Sequence, residues 1–255
     1  MQNPFRHFNS SLEVIRLAVM MCVRYPLSLR QVENLLFERG IDICHETVRF
    51  WWNWFGLMFA SEIRKGRIHH RCYSQWRWHL DEAFVRINGE THYLWRAVDH
   101  EGQVLEAFAT KRRDRRAALK FLKRTMKRYG QAKAIVTDRL GSYGAAMKAT
   151  GIVERQESGR WLNNRAENSH QPFRRREGAM AKFRDVKTLQ KFAAVHASIH
   201  NHFNQDRYLN RRDIFKQKRS AALAEWERKL AGRIEQFLFS SSHFSRVDNL
   251  ADLIK

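Results

Sequence analysis

Carboxylates stand out in this 255-residue chain because cations dominate it: 47 Lys and Arg against 26 Asp and Glu leave a net charge of +21. Three of the acids sit where chemistry can be mounted. Asp81 falls in a run of β-formers, Asp138 ends the expected strand 134–137, and Glu167 lies on a helical stretch opened by Asn163-Asn164-Arg165. If the two strands are neighbours, Asp81 and Asp138 come within roughly the ~5 Å that separates adjacent strands. A helix packed across that edge can add Glu167. Such hard oxygen donors suit Mg²⁺ or Mn²⁺, which take carboxylates, water and substrate phosphates. Two such ions ~3.5 to 4 Å apart can activate an attacking oxygen and stabilise a leaving one at a phosphodiester. The ions also convert a cluster that repels DNA phosphate into one that attracts it. Glu82 and Asp99 are rival carboxylates in the same region, and acids at strand ends also serve as caps or ion-pair partners.

The elements that must carry these acids are legible from periodicity. Residues 78–87 are rich in β-formers, Asn88-Gly89 favours a two-residue type I′ hairpin, and residues 91–98 return as a second strand. Glu101-Gly102 marks another turn before a third strand at 103–110. Asp114 can cap a helix that carries Ala118, Leu119, Leu122 and Met126 and ends near Gly130. Because that helix intervenes, the strand 134–137 can return beside the first one in parallel through a crossover. A short helix over 143–150, a strand at 153–156 and a helix from Asn163 complete a β-β-β-α-β-α order. Later helices are expected over 186–203 and 219–239. In the last, Leu223, Trp226, Leu230, Ile234 and Phe237 form a stripe suited to docking, dimerisation or ordinary packing.

Ahead of the strands the texture is helical. Leu12, Ile15, Val19 and Cys22 step at helical spacing until Tyr25-Pro26. Ser28-Leu-Arg-Gln31 has the form of a capping box for a second helix ending at Gly40. A third carries Val48, Trp51, Trp52 and Phe55 and is expected to stop at Gly56. Two short helices joined by a Gly-containing turn behind a supporting helix have the outline of a helix-turn-helix. The polar side of the last would show His45, Glu46, Arg49 and Asn53, and Arg suits guanine as Asn suits adenine. The same face could equally be a solvated one.

Composition bounds the class. Hydrophobic residues at 44% supply a core and argue against a disordered basic tail. The longest apolar run, 17–23, has seven residues, far short of the ~18 to 20 of a membrane span. The first ten residues do not resemble a signal peptide, so a cytosolic setting is expected. The three cysteines, Cys22, Cys44 and Cys72, have no C-x-x-C spacing and are expected to be reduced and inert. The clusters Lys111-Arg112-Arg113, Arg115-Arg116 and Arg174-Arg175-Arg176 are candidates for neutralising phosphates, with affinity that falls as salt rises. Trp161 could stack on a base, although core burial serves it and Phe173 as well. His196, His200 and His202 hint at a metal but lack further ligands for zinc.

The stretches Trp78-His-Leu-Asp-Glu82, Val136-Thr-Asp-Arg139 and Asn163-Asn-Arg-Ala-Glu-Asn168, with Arg174 seven residues after Glu167, resemble the D-D-E transposases of bacterial insertion sequences. The similarity is greatest to insertion-sequence family six and covers roughly residues 10–231. It implies a ribonuclease-H-like α/β domain, with a mixed five-stranded sheet flanked by helices, behind an N-terminal helix-turn-helix and before a helical C-terminal segment. The implied divisions are 1–62, a basic linker 63–76, a catalytic domain 77–208 and the segment 209–255. The resemblance implies that Asp81, Asp138 and Glu167 hold two Mg²⁺ ions, with Mn²⁺ an alternative. A water activated by the ions then cuts at an element end, and the freed 3′-hydroxyl joins a target strand. His45, Arg49, Asn53, His170, Arg174, Arg175 and Arg176 are the expected DNA contacts. The partners implied are terminal-repeat and target duplexes and a second copy or larger synaptic complex, in a bacterial, nucleoid-associated setting with a replicative, cointegrate-forming outcome. The interval between Asp138 and Glu167 is shorter than in the family's better-known members, and Glu154 or Glu157 would replace Glu167 if that alignment slipped.

Overall fold

The computed structural model describes residues 10–69, 76–138, 140–159, 161–180, 183–204 and 210–240. Helix α1 spans Leu12–Arg24, α2 Leu29–Phe37 and α3 His45–His69. The α2 start carries the expected capping box: the Gln31 N–H donates to the Ser28 hydroxyl at 3.2 Å, and the Ser28 N–H donates to Gln31 Oε1 at 2.7 Å. Gly40 follows α2 at φ +72°, a conformation costly for residues with a Cβ.

Helix α3 overturns one expectation, because it does not stop at Gly56. A Cβ at that position would meet the Trp52 ring at 3.1 Å, so glycine serves close packing of the indole over its own helix. The helix continues because it lies along α7, Val186–Phe203. Trp52 packs on Phe192 with ring centroids 5.6 Å apart, and Arg64 Nη2 donates to Ser198 Oγ at 3.1 Å. The basic stretch expected to be a linker is therefore helical as far as His69. The side chains of Arg67 and Arg71 lie outside the described residues, as does Cys72. Cys44 is exposed, whereas Cys22 is buried and its thiol is pushed up to about 12 by that burial.

Strands β1 (Arg77–Ile87), β2 (Glu90–Asp99) and β3 (Val104–Thr110) form the expected meander. Helix α4 (Arg115–Tyr129) is capped by Asp114, whose carboxylate accepts the Ala117 N–H at 2.8 Å. It delivers β4 (Ala134–Thr137) to the β1 edge in parallel. After α5 (Gly141–Thr150), the strand expected at 153–156 is mostly a 3-10 turn, Val153–Arg155. The Ile152 N–H still reaches back to the Met147 carbonyl at 3.0 Å, so the chain is leaving α5 and pairs only at β5, Gln156–Glu157. Helix α6 (Asn164–Ala179) then precedes α7.

Among the described residues the strands form one sheet in the order β3-β2-β1-β4-β5. One face buries Trp78, Leu80, Trp95 and Ala97 against Phe121 and Leu122 of α4 and Tyr143 and Met147 of α5. The other buries Val85, Ile87, Leu94 and Ala107 against Phe173 of α6 and Leu189 and Phe192 of α7. Each large apolar side chain so covered contributes roughly 1.5 to 3 kcal/mol. Three antiparallel strands, a fourth parallel to the first, and helices on both faces make this a ribonuclease-H-like α/β fold.

Residues 18–204 form one compact unit, which holds all of these elements from the end of α1 onward. A second comprises 1–17 and 205–255. Its described part includes the start of α1 and α8, Arg212–Ser240, which runs unbroken through Gly232. The side chains of Leu230, Ile234 and Phe237 in the expected stripe lie outside the described residues. Among the described residues no helix is long and apolar enough to cross a membrane.

Candidate active site

Strands β1 and β4 pair in parallel from Arg77 with Ala134 to Leu80 with Thr137. The next residue on each is Asp81 and Asp138. With Glu82 they bring carboxylate oxygens within 4.8 Å of one another, the group able to share a metal ion among the described residues. Successive strand residues face opposite ways, so Asp81 lies on the α6 side and Glu82 on the α5 side. Glu82 is buried, faces the Tyr143 hydroxyl and forms an ion pair with Arg113. Asp138 accepts the Leu140 N–H on Oδ1 at 3.2 Å, and its Oδ2 is 3.7 Å from Arg113 Nη2.

Asp81 is set beside Arg96 and His170. Its partner across β2 is Arg96, a fully buried guanidinium that donates to the Ser169 carbonyl at 2.6 Å. His170 Nε2 stands 3.2 Å from Asp81 Oδ2. Asn163 Nδ2 donates to the Leu80 carbonyl at 2.9 Å. These contacts pin the first two turns of α6 to the strand edge that carries Asp81.

The electrostatics record the crowding. Burial first, and then the Asp138 charge, push the Glu82 carboxyl up to about 7 against the pull of Tyr143 and Arg113. Asp138 is also raised, by burial and by Asp81, although the Leu140 N–H and Arg113 oppose this. Burial lowers His170 in spite of its contact with Asp81, and lowers Arg96 to about 9. A divalent cation fits this donor set. The oxygens of Asp81 and Asp138 are hard, close together and partly exposed. A cation there relieves repulsion that protons must otherwise relieve.

The expected residues fare differently. Asp81 and Asp138 meet. Glu167 lies in the first turn of α6 on an exposed position, outside the carboxylate group. It is three residues before His170, and such pairs are neighbours on one helix face. Of the rivals, Glu82 joins the group, whereas Asp99 accepts the Glu101 and Gln103 N–H groups at 3.0 and 2.9 Å and so organises the β2–β3 turn. Glu157 pairs with Arg77 at 2.7 Å and Glu154 is exposed in the 3-10 turn. His170, weighed as a surface histidine, is buried against Asp81. Arg175 is exposed, and Arg174 donates to the Phe84 carbonyl and to Glu177 while staying about 41% exposed. Arg176 departs from its expected role as a DNA contact. It is 3% exposed and its Nε donates to the Cys22 carbonyl, because α6 turns that side inward onto α1. His45 pairs with Glu33 at 2.9 Å, Arg49 with Glu46 at 2.8 Å, and Asn53 accepts Lys191 Nζ on its carbonyl at 2.9 Å. Trp161 is exposed and Phe173 lies in the core. His196 is buried against Phe173 and Phe192 and stacks on His200, an arrangement of packing rather than ligation.

With this geometry in view, comparison with known proteins decides the family. A family described as a DDE domain matches residues 75–206. The transposase for insertion sequence-like element IS431mec of Staphylococcus aureus is 30% identical over 201 residues, 76% of this chain and 88% of that one. The chain belongs to the D-D-E transposases of insertion-sequence family six. A second relative, the transposase for insertion sequence element IS257 in transposon Tn4003 of the same species, matches to the same extent. The catalytic core domain of BIV integrase is 16% identical, with 52% of this chain and 86% of that chain covered at a TM-score of 0.35. Membership of that family makes the protein a DNA transposase, an enzyme that cuts and joins DNA, and the family and the carboxylate cluster imply a divalent metal.

Sequence reasoning missed Arg96 and underrated Arg113. The signal for Arg96 was present, since counting outward equally from the Asn88-Gly89 turn puts it opposite Asp81. Arg113 was one of a cluster of cations, and nothing local distinguished it from Arg112.

Proposed function

We propose that the transposase binds the ends of its element, cuts them and joins the 3′-hydroxyls to target DNA, with Asp81, Asp138 and Glu167 holding two Mg²⁺ ions. The observation that carries this reading is the parallel β1–β4 pairing, which ends on Asp81 and Asp138 side by side. Glu167 completes the set from α6. It shares a helix face with His170, which already touches Asp81.

When bound, the two ions supply neutralisation of the scissile phosphate and activation of the attacking oxygen. The chain's own residues prepare the place. His170 lies against one oxygen of Asp81 and the Leu140 N–H holds one oxygen of Asp138, so an acceptor of each is placed before DNA arrives. Arg174, held at the Phe84 carbonyl, lies at the β1 edge where a phosphate can meet it. Water attacks the phosphodiester at the element end and leaves a 3′-hydroxyl, which in turn attacks a target strand. No side chain is needed as a covalent nucleophile.

The helices of residues 1–62 read element ends through His45, Arg49 and Asn53, the stretch 63–76 touches DNA backbone, 77–208 carries out the chemistry, and 209–255 supports a dimer or larger synaptic complex. Arg175 adds a phosphate contact. The setting is the bacterial cytoplasm and nucleoid, and the outcome is replicative cointegrate formation. The test is to incubate the protein and Mg²⁺ with labelled element ends and a target plasmid. Joined products bear the proposal out, and cut ends without joining reduce the protein to a nuclease.

A further inference from the structure

Arg113 occupies an unusual position among the basic residues. It precedes Asp114, the cap of α4. The main chain beside it is tied down by Thr110, whose hydroxyl donates to the Arg112 carbonyl at 2.8 Å and accepts Trp95 Nε1 at 2.8 Å. Its guanidinium lies over the Phe84 ring, 5.7 Å from the centroid. One nitrogen, Nη2, serves both acids: it pairs with Glu82 and stands 3.7 Å from Asp138. The side chain of Glu82 is 2% exposed, those of Arg113 and Asp138 32% and 37%. A buried carboxylate therefore grips an arginine whose outer end reaches the same opening as Asp138.

Surface ion pairs are mobile and contribute little. This pair differs because releasing Arg113 leaves a buried acid without its cation. The arrangement fixes a planar fork of five N–H donors, of which Nη2 is committed inward. A phosphate is the ligand that such a fork suits.

We infer that Arg113 is a DNA-phosphate ligand of the transposase, and that Glu82 is its anchor rather than a third ion ligand. The inference rests on the proposed cleavage centre at Asp81 and Asp138. A DNA strand that brings its scissile phosphate to Asp138 passes the exposed edge of Arg113. Glu82 holds the guanidinium at the rim, and Phe84 supports its plane.

The experiment measures binding of the full chain to an element-end duplex in Ca²⁺, across a salt series. In Arg113→Ala the slope of log affinity against log salt should shrink by about 0.9, with affinity falling about eightfold at 0.1 M salt, as for one lost phosphate contact. Arg113→Lys should keep most of the slope, since it keeps the charge. Glu82→Gln should weaken binding, and adding it to Arg113→Ala should cause little further loss, because the two act as a unit. Mn²⁺ titration followed by electron paramagnetic resonance should find the same number of bound ions in Glu82→Gln as in the parent. An unchanged slope in Arg113→Ala, or loss of an Mn²⁺ ion in Glu82→Gln, overturns the inference. Asp138→Asn separates this from the underlying reading: its activity with Mg²⁺ tests the cleavage centre, while the fall in salt slope that Arg113→Ala causes in the Asp138→Asn background tests Arg113 whatever becomes of that centre.

Discussion

Glu82 makes a prediction that needs neither DNA nor activity. Its carboxyl is carried from an ordinary 4.5 to about 7 in the folded chain, chiefly by burial and by Asp138. Between about pH 4.5 and 7 the folded state thus holds a proton that the unfolded chain gives up, and above that range the ionised carboxylate faces Arg113. Stability from this group is fully present below pH 4.5 and is lost as pH rises through 7. At about 1.4 kcal/mol for each tenfold change in proton affinity, the total is about 3 kcal/mol, most of it lost between pH 5 and pH 8. Glu82→Gln keeps the shape and removes the titration. Urea unfolding of both proteins with a chelator present, at pH 5, 6, 7 and 8, should show the parent losing roughly 2 to 3 kcal/mol relative to the variant across the series. With Mg²⁺ present the divergence should shrink, because the ion takes over from the proton as counter-charge. Parallel stability profiles for the two proteins in chelator would refute the reasoning about how Glu82 is buried.

Other perturbations test neighbouring parts. Arg96→Met removes the buried donor that holds the Ser169 carbonyl and should cost about 1 to 3 kcal/mol by urea midpoint. Ser28→Ala removes the cap of α2 and should cost about 1 kcal/mol in the same assay. Arg49→Ala should weaken binding to element ends by roughly 1 to 3 kcal/mol in a gel-shift titration and leave affinity for unrelated duplex less affected. Equal losses on both duplexes would assign Arg49 to the backbone instead.

What could be read in the sequence was whatever local chemistry determines. The Ser28 box, the Asn88-Gly89 turn and the Asp114 cap each specify geometry within a few residues, and each is formed. The turn even fixes the register that sets Arg96 against Asp81. The crossover to β4 followed from chain direction, and with it the meeting of Asp81 and Asp138. Burial imposed by distant elements was not legible. Gly56 reads as a stop until α7 supplies Phe192 for Trp52 to pack on. Arg176 reads as one more cation in a basic run until α1 offers the Cys22 carbonyl. His170 reads as polar surface until the strand edge closes over it. Glu82 and Asp81 differ by one residue, and only the two faces of the sheet give them different neighbours.

The central claim concerns which carboxylates hold the ions, and anomalous diffraction from crystals of the transposase soaked in Mn²⁺ addresses it most directly. The expected map has Mn²⁺ at about 2.1 Å from oxygens of Asp81 and Asp138, with Glu167 turned in to complete the ligand set. An ion bound by Asp81, Glu82 and Asp138 with Glu167 left in solvent would contradict it, as would a map with no peak between the two strand ends.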